Sequence, residues 1–240
     1  MTDQGLPRIG VFLAVDGAIA RQGANLIISK QADMEVVGQS DSAGVLSSAN
    51  DMLPRTVVVL HALPPKTVFE LVSRLAEVSP EVSVIVVNEV ENDEAVFQAA
   101  LAGASAFMTK GSSSAQFLDA IRRAHAGGRP IVASLFGRSG VASRVLARFG
   151  EVAAMASGLG PLVASLSPTE AELLKRVAGG APAAQVAAAL GVSQAALLDH
   201  GLSILRKMKV NEHTRHTVAA LYGLEPRVTS VAEDRELEKG

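Results

Sequence analysis

Apolar residues in the first half of this chain come in short Val/Ile-rich runs separated by longer stretches with helical spacing. The runs are Arg8–Ala14, Glu35–Gln39, Thr56–Leu60, Val82–Asn88 and Ala106–Thr109. Short segments of nearly continuous hydrophobic character predict strands covered on both faces. Ala18–Gln31, Ser42–Met52, Thr67–Val78, Asp93–Ala102 and Ala115–Ala126 predict helices, with Gly103 and Gly127-Gly128 closing the fourth and fifth. Strict alternation of the two element types predicts an α/β domain built on a five-stranded parallel sheet. Functional groups of such sheets gather beyond the carboxyl ends of the strands, here Val15-Asp16, Leu60-His61, Asn88-Glu89 and Lys110.

The second half changes period. Leu173, Leu174 and Val177 form one apolar stripe that ends at Gly179-Gly180; Ala183–Leu190 then buries Val186 and Leu190 and stops at Gly191. Ser193 stands at an N-cap position and opens a third helix through Met208, with Leu197, Gly201, Ile204 and Met208 on its core face. Helices this short must pack on one another to be stable. Their spacing predicts an all-α helix-turn-helix unit, whose use is to lay one helix in the DNA major groove.

Between the two units, Val141, Val145, Leu146 and Phe149 predict a linker helix, and Gly158–Pro161 a hinge. Val218, Leu221 and Tyr222 fall on a last helix, where they either pair two such units or pack within their own. The tail beyond Glu225 is charged, lacks periodicity and reads as disordered. The expected organisation is a sheet domain at 1–132, a linker at 133–161, a helix-turn-helix domain at 162–224 and a tail at 225–240.

Composition narrows the chemistry. With 240 residues, 48% hydrophobic but only 3% aromatic, the chain suits two domains with Ala/Val/Leu cores. Cysteine is absent, which excludes disulfides, thiolate metal sites and a cysteine nucleophile. No nucleophile–base pair, phosphate-binding loop or metal-ligand cluster is evident, so neither an enzyme nor a cofactor is expected. The apolar stretch Val152–Leu166 is interrupted by Ser157, Gly158, Gly160 and Pro161, and MTDQGLPR carries no signal-peptide core, so the expected location is the cytoplasm. Residues 1–134 hold ten basic and fourteen acidic residues, a balance of −4, whereas Pro161–Tyr222 has six basic against four acidic, +2. The second figure is weak for a nucleic-acid binder.

The segment LSPTEAELLKRVAGGAPAAQVAAALGVSQAALLDHGLSILRKMKVNEHT resembles the LuxR/NarL-type DNA-binding domain. In that family the groove-facing residues lie in the first two turns of the third helix and are typically Lys, Thr and other polar types. The matching positions here are Ala196, Leu198, Asp199 and Leu202. Ala and Leu cannot donate to a base or phosphate, and Asp199 repels the backbone. Ser193, Gln194, His200, Arg206, Lys207 and Lys209 remain as candidate DNA contacts, suited mostly to phosphates. Leu198, Leu202 and Leu205 form a second apolar line, read either as deeper burial of the helix or as a protein-protein surface.

The first half, with AGASAFMTKGSSSAQFLDAIRRAHAGG, is similar to the flavodoxin-like receiver domain of two-component response regulators. The resemblance implies an acidic pair holding Mg²⁺, an aspartate that accepts phosphate, a Ser/Thr and a lysine around the phosphoryl group. Only part of that set is present: Asp16 keeps one acid beside Val15, Leu60 followed by His61 occupies the acceptor position, Asn88 stands for the hydroxyl, and Lys110 is retained. Leucine cannot be phosphorylated, and one carboxylate makes a poor Mg²⁺ site, so no metal is expected. Lys110 is read as an ion-pair partner of Asp16 or, alternatively, as the anchor of a small anionic ligand. Glu89, Glu91, Asp93 and Glu94 suit a helix N-terminus.

Together these readings imply an atypical response regulator that binds DNA without aspartate phosphorylation. It is expected as a homodimer or as a heterodimer with an intact relative, and the Asp93–Ala126 face is its natural receiver contact. The alternatives are a protein-interaction regulator that binds DNA weakly or not at all, and a small-molecule-sensing pseudo-receiver.

Overall fold

The computed structural model describes residues 8–41, 44–48, 56–61, 65–155 and 163–221. Five parallel strands, β1 (Ile9–Val15), β2 (Met34–Ser40), β3 (Val57–His61), β4 (Ser83–Asn88) and β5 (Ala106–Thr109), form one sheet in the order β2-β1-β3-β4-β5. Each predicted strand is present within one residue at either end. The helices between them are α1 (Ala18–Ser29), α2 (Val45–Ser48), α3 (Pro65–Val78), α4 (Asp93–Ala102) and α5 (Ser114–His125). Alternating side chains divide the interior. Val11, Leu13, Val15, Val57, Val59 and Ile85 pack under α1 and α5, whereas Phe12, Ala14, Val58, Leu60, Val84 and Val86 pack under α3 and α4.

The segment expected to link the two domains is folded. It forms α6 (Val132–Gly137) and α7 (Ser139–Met155), while the expected hinge at 158–161 and the tail after Glu225 lie outside the described residues. Ile131, Val132, Leu135, Phe136, Val141, Val145 and Phe149 join the α3/α4 side of the sheet to Leu173, Leu174, Val177, Leu197, Ile204 and Met208 beyond it. One apolar interior therefore serves both halves. α4 packs against α7 and α10, so part of the Asp93–Ala126 face expected to meet another receiver is covered within the chain.

The second unit comprises α8 (Pro168–Ala178), α9 (Ala183–Leu190) and α10 (Gln194–Leu221). Ser167 and Glu170 cap α8 reciprocally, each side chain accepting from the other's backbone N–H at 3.2 and 2.6 Å, with Pro168 in the first turn. One expectation is corrected here. The third helix does not end at Met208 but runs for 28 residues in all, Gln194–Leu221, through the segment expected as a separate last helix. No Gly or Pro interrupts residues 209–217, and tertiary bonds hold the extension. Asn211 is buried and clasps Ala164 with both amide atoms, at 2.8 and 2.9 Å, and Glu212 accepts from Arg148 at 2.6 Å. The side chains of Val218 and Leu221, and Tyr222 as a whole, lie outside the described set. No single described helix is long and apolar enough to cross a membrane; α9 and α10 pass such a test only as a pair bent by 100°.

Candidate functional site

The carboxyl ends of β1, β3, β4 and β5 converge as the sheet order requires. Val15 pairs with His61, Leu60 with Val86, and Asn88 with Thr109. Leu60 sits at the acceptor position with no exposed surface, its side chain part of the core beneath α3 and α4. Val15 is buried as well, and Asp16 beside it is half-buried. The sequence reading missed the neighbour that dominates this end of β1. Arg21, on the first turns of α1, donates from Nε and Nη2 to the Val15 carbonyl at 3.1 and 2.8 Å. A fixed guanidinium thus stands next to the place where a second carboxylate is missing, and it opposes any cation brought there.

At the other side of the mouth, the Asn88 side-chain oxygen accepts from the Glu89 N–H at 2.8 Å, and its carbonyl accepts from the Lys110 N–H at 3.0 Å. The Lys110 ammonium forms an ion pair with Glu89 at 2.5 Å. Both side chains are largely exposed, so the pair adds little stability. A cleft of about 430 Å³ lined by Arg8, Lys30, Met34 and Glu35 opens at the opposite end of the sheet, away from these residues.

The expected DNA-facing residues all lie on or just before α10, in unequal settings. Ser193 Oγ caps the helix by accepting from the Ala196 N–H at 3.1 Å. Gln194, Arg206 and Lys209 are exposed, and His200 is half-buried. Lys207 turns inward, where its ammonium donates to the Glu170 carboxylate at 2.6 Å. Burial raises the Glu170 carboxyl's affinity for a proton, but bonds from Lys207, the Ser167 N–H and Ser203 outweigh it and hold the group below its ordinary value. The apolar line divides: Leu205 is buried, Leu202 is half-buried against the core, and Leu198 is 40% exposed beside exposed Asp199.

Gly201 explains how closely this helix approaches the receiver side. A Cβ there would lie 2.4 Å from Val132 Cγ1 and 2.7 Å from the Phe136 ring, both buried on α6. Only glycine lets α10 meet α6 at this distance.

Residues 164–220 match the family model described as bacterial regulatory proteins, luxR family. Over 215 residues the chain is 25% identical to the uncharacterized transcriptional regulatory protein YxjL of Bacillus subtilis (strain 168), covering 89% of this chain and 95% of that one. It is 27% identical to the transcriptional regulatory protein LiaR of the same organism, covering 88% and 96%. The luxR-family match thus lies on the helix-turn-helix half, and the two relatives that span both halves are transcriptional regulatory proteins. Among solved structures, a LuxR-family two-component response regulator from Aurantimonas sp. SI85-9A1 matches at TM-score 0.49 and 22% identity, covering 57% of this chain and 97% of that one.

The acidic residues at the entrance to α4 have a further use. Arg138 of the linker contacts Glu91 at 2.6 Å and Asp93 at 3.1 Å, and Arg144 contacts Glu94 at 2.7 Å. Gly140 packs so tightly on Asp93 that any Cβ would overlap the carboxylate. Arg148 then joins α7 to α10: burial opposes its charge, but donor bonds to Glu212 and Glu151 raise the guanidinium above its ordinary value. Separate ion pairs therefore tie the linker to the entrance of α4 and to the long helix.

Proposed function

We propose that this regulator acts on transcription through its helix-turn-helix domain (162–224) without phosphorylation of its receiver domain (1–132). The observation that supports this most directly is Leu60, an aliphatic side chain with no exposed surface at the acceptor position. The Arg21 fork on Val15 adds to it, because it places a cation where Mg²⁺ chemistry wants carboxylates. Incubation of the full chain with radiolabelled acetyl phosphate and Mg²⁺ leaves no label on any carboxyl group. A labelled acyl phosphate within residues 1–132 overturns the proposal.

DNA contact in this reading is mostly with phosphates, through Ser193, Gln194, His200, Arg206 and Lys209. Lys207 contributes by fixing α10 on α8 through Glu170. Leu198, Asp199 and Leu202 supply no donor to bases or phosphates, so sequence discrimination on this helix is low. Replacing Leu198 and Leu202 together by lysine raises duplex affinity and steepens the log–log salt slope by about 2, one unit per added phosphate contact. A titration across salt concentrations measures it. An unchanged slope in a folded variant shows that this face of α10 does not meet DNA.

A second reading is favoured by the same exposed Leu198: a protein-interaction regulator that pairs with an intact relative, which then supplies the base readout. Its mark is a binding curve on a specific duplex that develops only when the partner is added. A small anionic ligand beside Lys110 has less support, because Glu89 already neutralises that ammonium. The regulatory roles proposed here place the protein in the cytoplasm.

A further inference from the structure

α4 gives part of its outer surface to α7 and α10, so the face expected to meet a second copy is partly used up within the chain. On the other side of the sheet α1 is bare. Ala20, Ala24, Ile27 and Ile28 turn this helix onto the sheet, while on its outer side Ile19 is 87% exposed and Leu26 58%. These two lie seven residues apart and within about 20° of each other round the helix axis. Leu198 and Val210 of α10 are also exposed, but they are twelve residues apart and about 120° round, so they share no line. Between Ile19 and Leu26, Gly23 is exposed, and a Cβ added there would meet nothing within 4 Å. No charge interrupts the face, because the one ionisable residue of Ala18–Ser29 is Arg21, whose guanidinium is held on the Val15 carbonyl. Charges bracket it instead: Asp16 just before the helix and exposed Lys30 at its C-cap.

We infer that α1 pairs with α1 of a second copy of this chain, antiparallel, about a two-fold axis at Gly23. The order along the line is acid, apolar, glycine, apolar, base, and it is nearly symmetric in spacing. Asp16 and Lys30 each stand seven residues from Gly23; Ile19 is four before it and Leu26 three after. Antiparallel pairing sets Ile19 against Leu26 of the partner subunit and Asp16 against Lys30 of the partner subunit, each contact made twice. Parallel pairing would set like charge against like. A self-complementary patch of this kind is what a closed two-fold dimer requires, and the central glycine lets the two backbones approach. Uncharged apolar surface left open on a helix gains by this burial. The contact needs no phosphoryl trigger, and it stands or falls apart from the reading of the Leu60 position.

Sedimentation of the full chain across protein concentration tests it. The wild type dimerises with a Kd of about 10–100 µM, as a contact of this small size allows. Ile19→Lys and Leu26→Glu each place a charge against an apolar side chain and raise that Kd about tenfold or more. An equimolar mixture of the two variants dimerises again. Each mixed pair holds one lysine–glutamate contact and one intact Ile19–Leu26 contact, a rescue that only the antiparallel arrangement gives. A second measurement does not depend on these substitutions. The wild-type chain has no cysteine, so Gly23→Cys carries a single thiol beside the axis, and mild oxidation links it into a covalent dimer. Glu70→Cys, exposed on α3 at the other side of the sheet, does not link. A monomer at every concentration overturns the inference. So do a dimer that both charge variants leave intact, a mixture no tighter than its components, and equal cross-linking at the two cysteine positions.

Discussion

Gly201→Val lowers the unfolding midpoint of the protein and loosens α10 from α6. The added Cβ alone would sit 2.4 Å from Val132 and 2.7 Å from Phe136, and the two γ-methyls of valine reach further. Neither neighbour is the free end of a flexible chain, because both are buried in the shared interior. Overpacking of this kind costs about 1–3 kcal/mol, and each kcal/mol shifts the midpoint of a chain this size by roughly 2–4 °C. Amide exchange read along the sequence shows where the strain is released. Protection falls in the first three turns of α10 and in Val132–Gly137, while the β1–β3 core keeps its own. DNA affinity changes little, because freeing a helix that presents Leu198 and Asp199 exposes no new donor to a base. Unaltered exchange in both segments would show that α10 does not rest on α6 in solution.

Glu170→Ala removes a carboxylate that is 2% exposed and accepts bonds from three directions. The change strands the Lys207 ammonium, frees the Ser167 N–H at the start of α8 and leaves Ser203 without that acceptor. Deleting one partner of such a buried pair costs about 3–5 kcal/mol, most of it the penalty for the charge left behind. Denaturant unfolding at neutral pH measures the loss, and Glu170→Gln separates its parts. Glutamine keeps an acceptor for the Ser167 N–H but no charge for Lys207, so its midpoint falls between those of wild type and Glu170→Ala. The pH dependence carries a definite sign. The folded carboxyl titrates below its ordinary value of 4.5. Its contribution is therefore complete above that value and is lost as the pH falls through the lower folded one. Both variants are flatter than wild type across that acidic window. A wild-type slope retained in Glu170→Gln would place the titration elsewhere.

Much of the fold was legible because local signals and packing agreed. The Asp93–Ala102 and Ala183–Leu190 helices match their expected ends, fixed by Asn92 and Gly103 in one case and by Gly191 in the other. The strands were readable from their uniform apolar character, since both faces are buried. Where an element's fate depended on distant partners, the sequence was silent. Continuation of α10 past Met208 rests on Asn211 meeting Ala164 and on Glu212 meeting Arg148, contacts that no local pattern encodes. Arg21 was missed for the same reason, because its reach to Val15 needs α1 folded back on β1. Gly201 did leave a trace. A glycine on the core face of a helix, in a place where a branched side chain would be ordinary, marks a close approach by another element.

The apolar interior that passes from the sheet through α6 and α7 into the helix-turn-helix has a consequence for how such a protein can be recombined. Regulators whose halves fold apart can trade input and output modules by cutting and rejoining a linker. Here each half supplies the other's covering layer, and the seam is set by side chains as specific as Val132, Phe136 and the bare α-carbon opposite them. A foreign receiver grafted onto this DNA-binding unit would meet a surface cut for another partner. The two halves of this chain are consequently bound to change together.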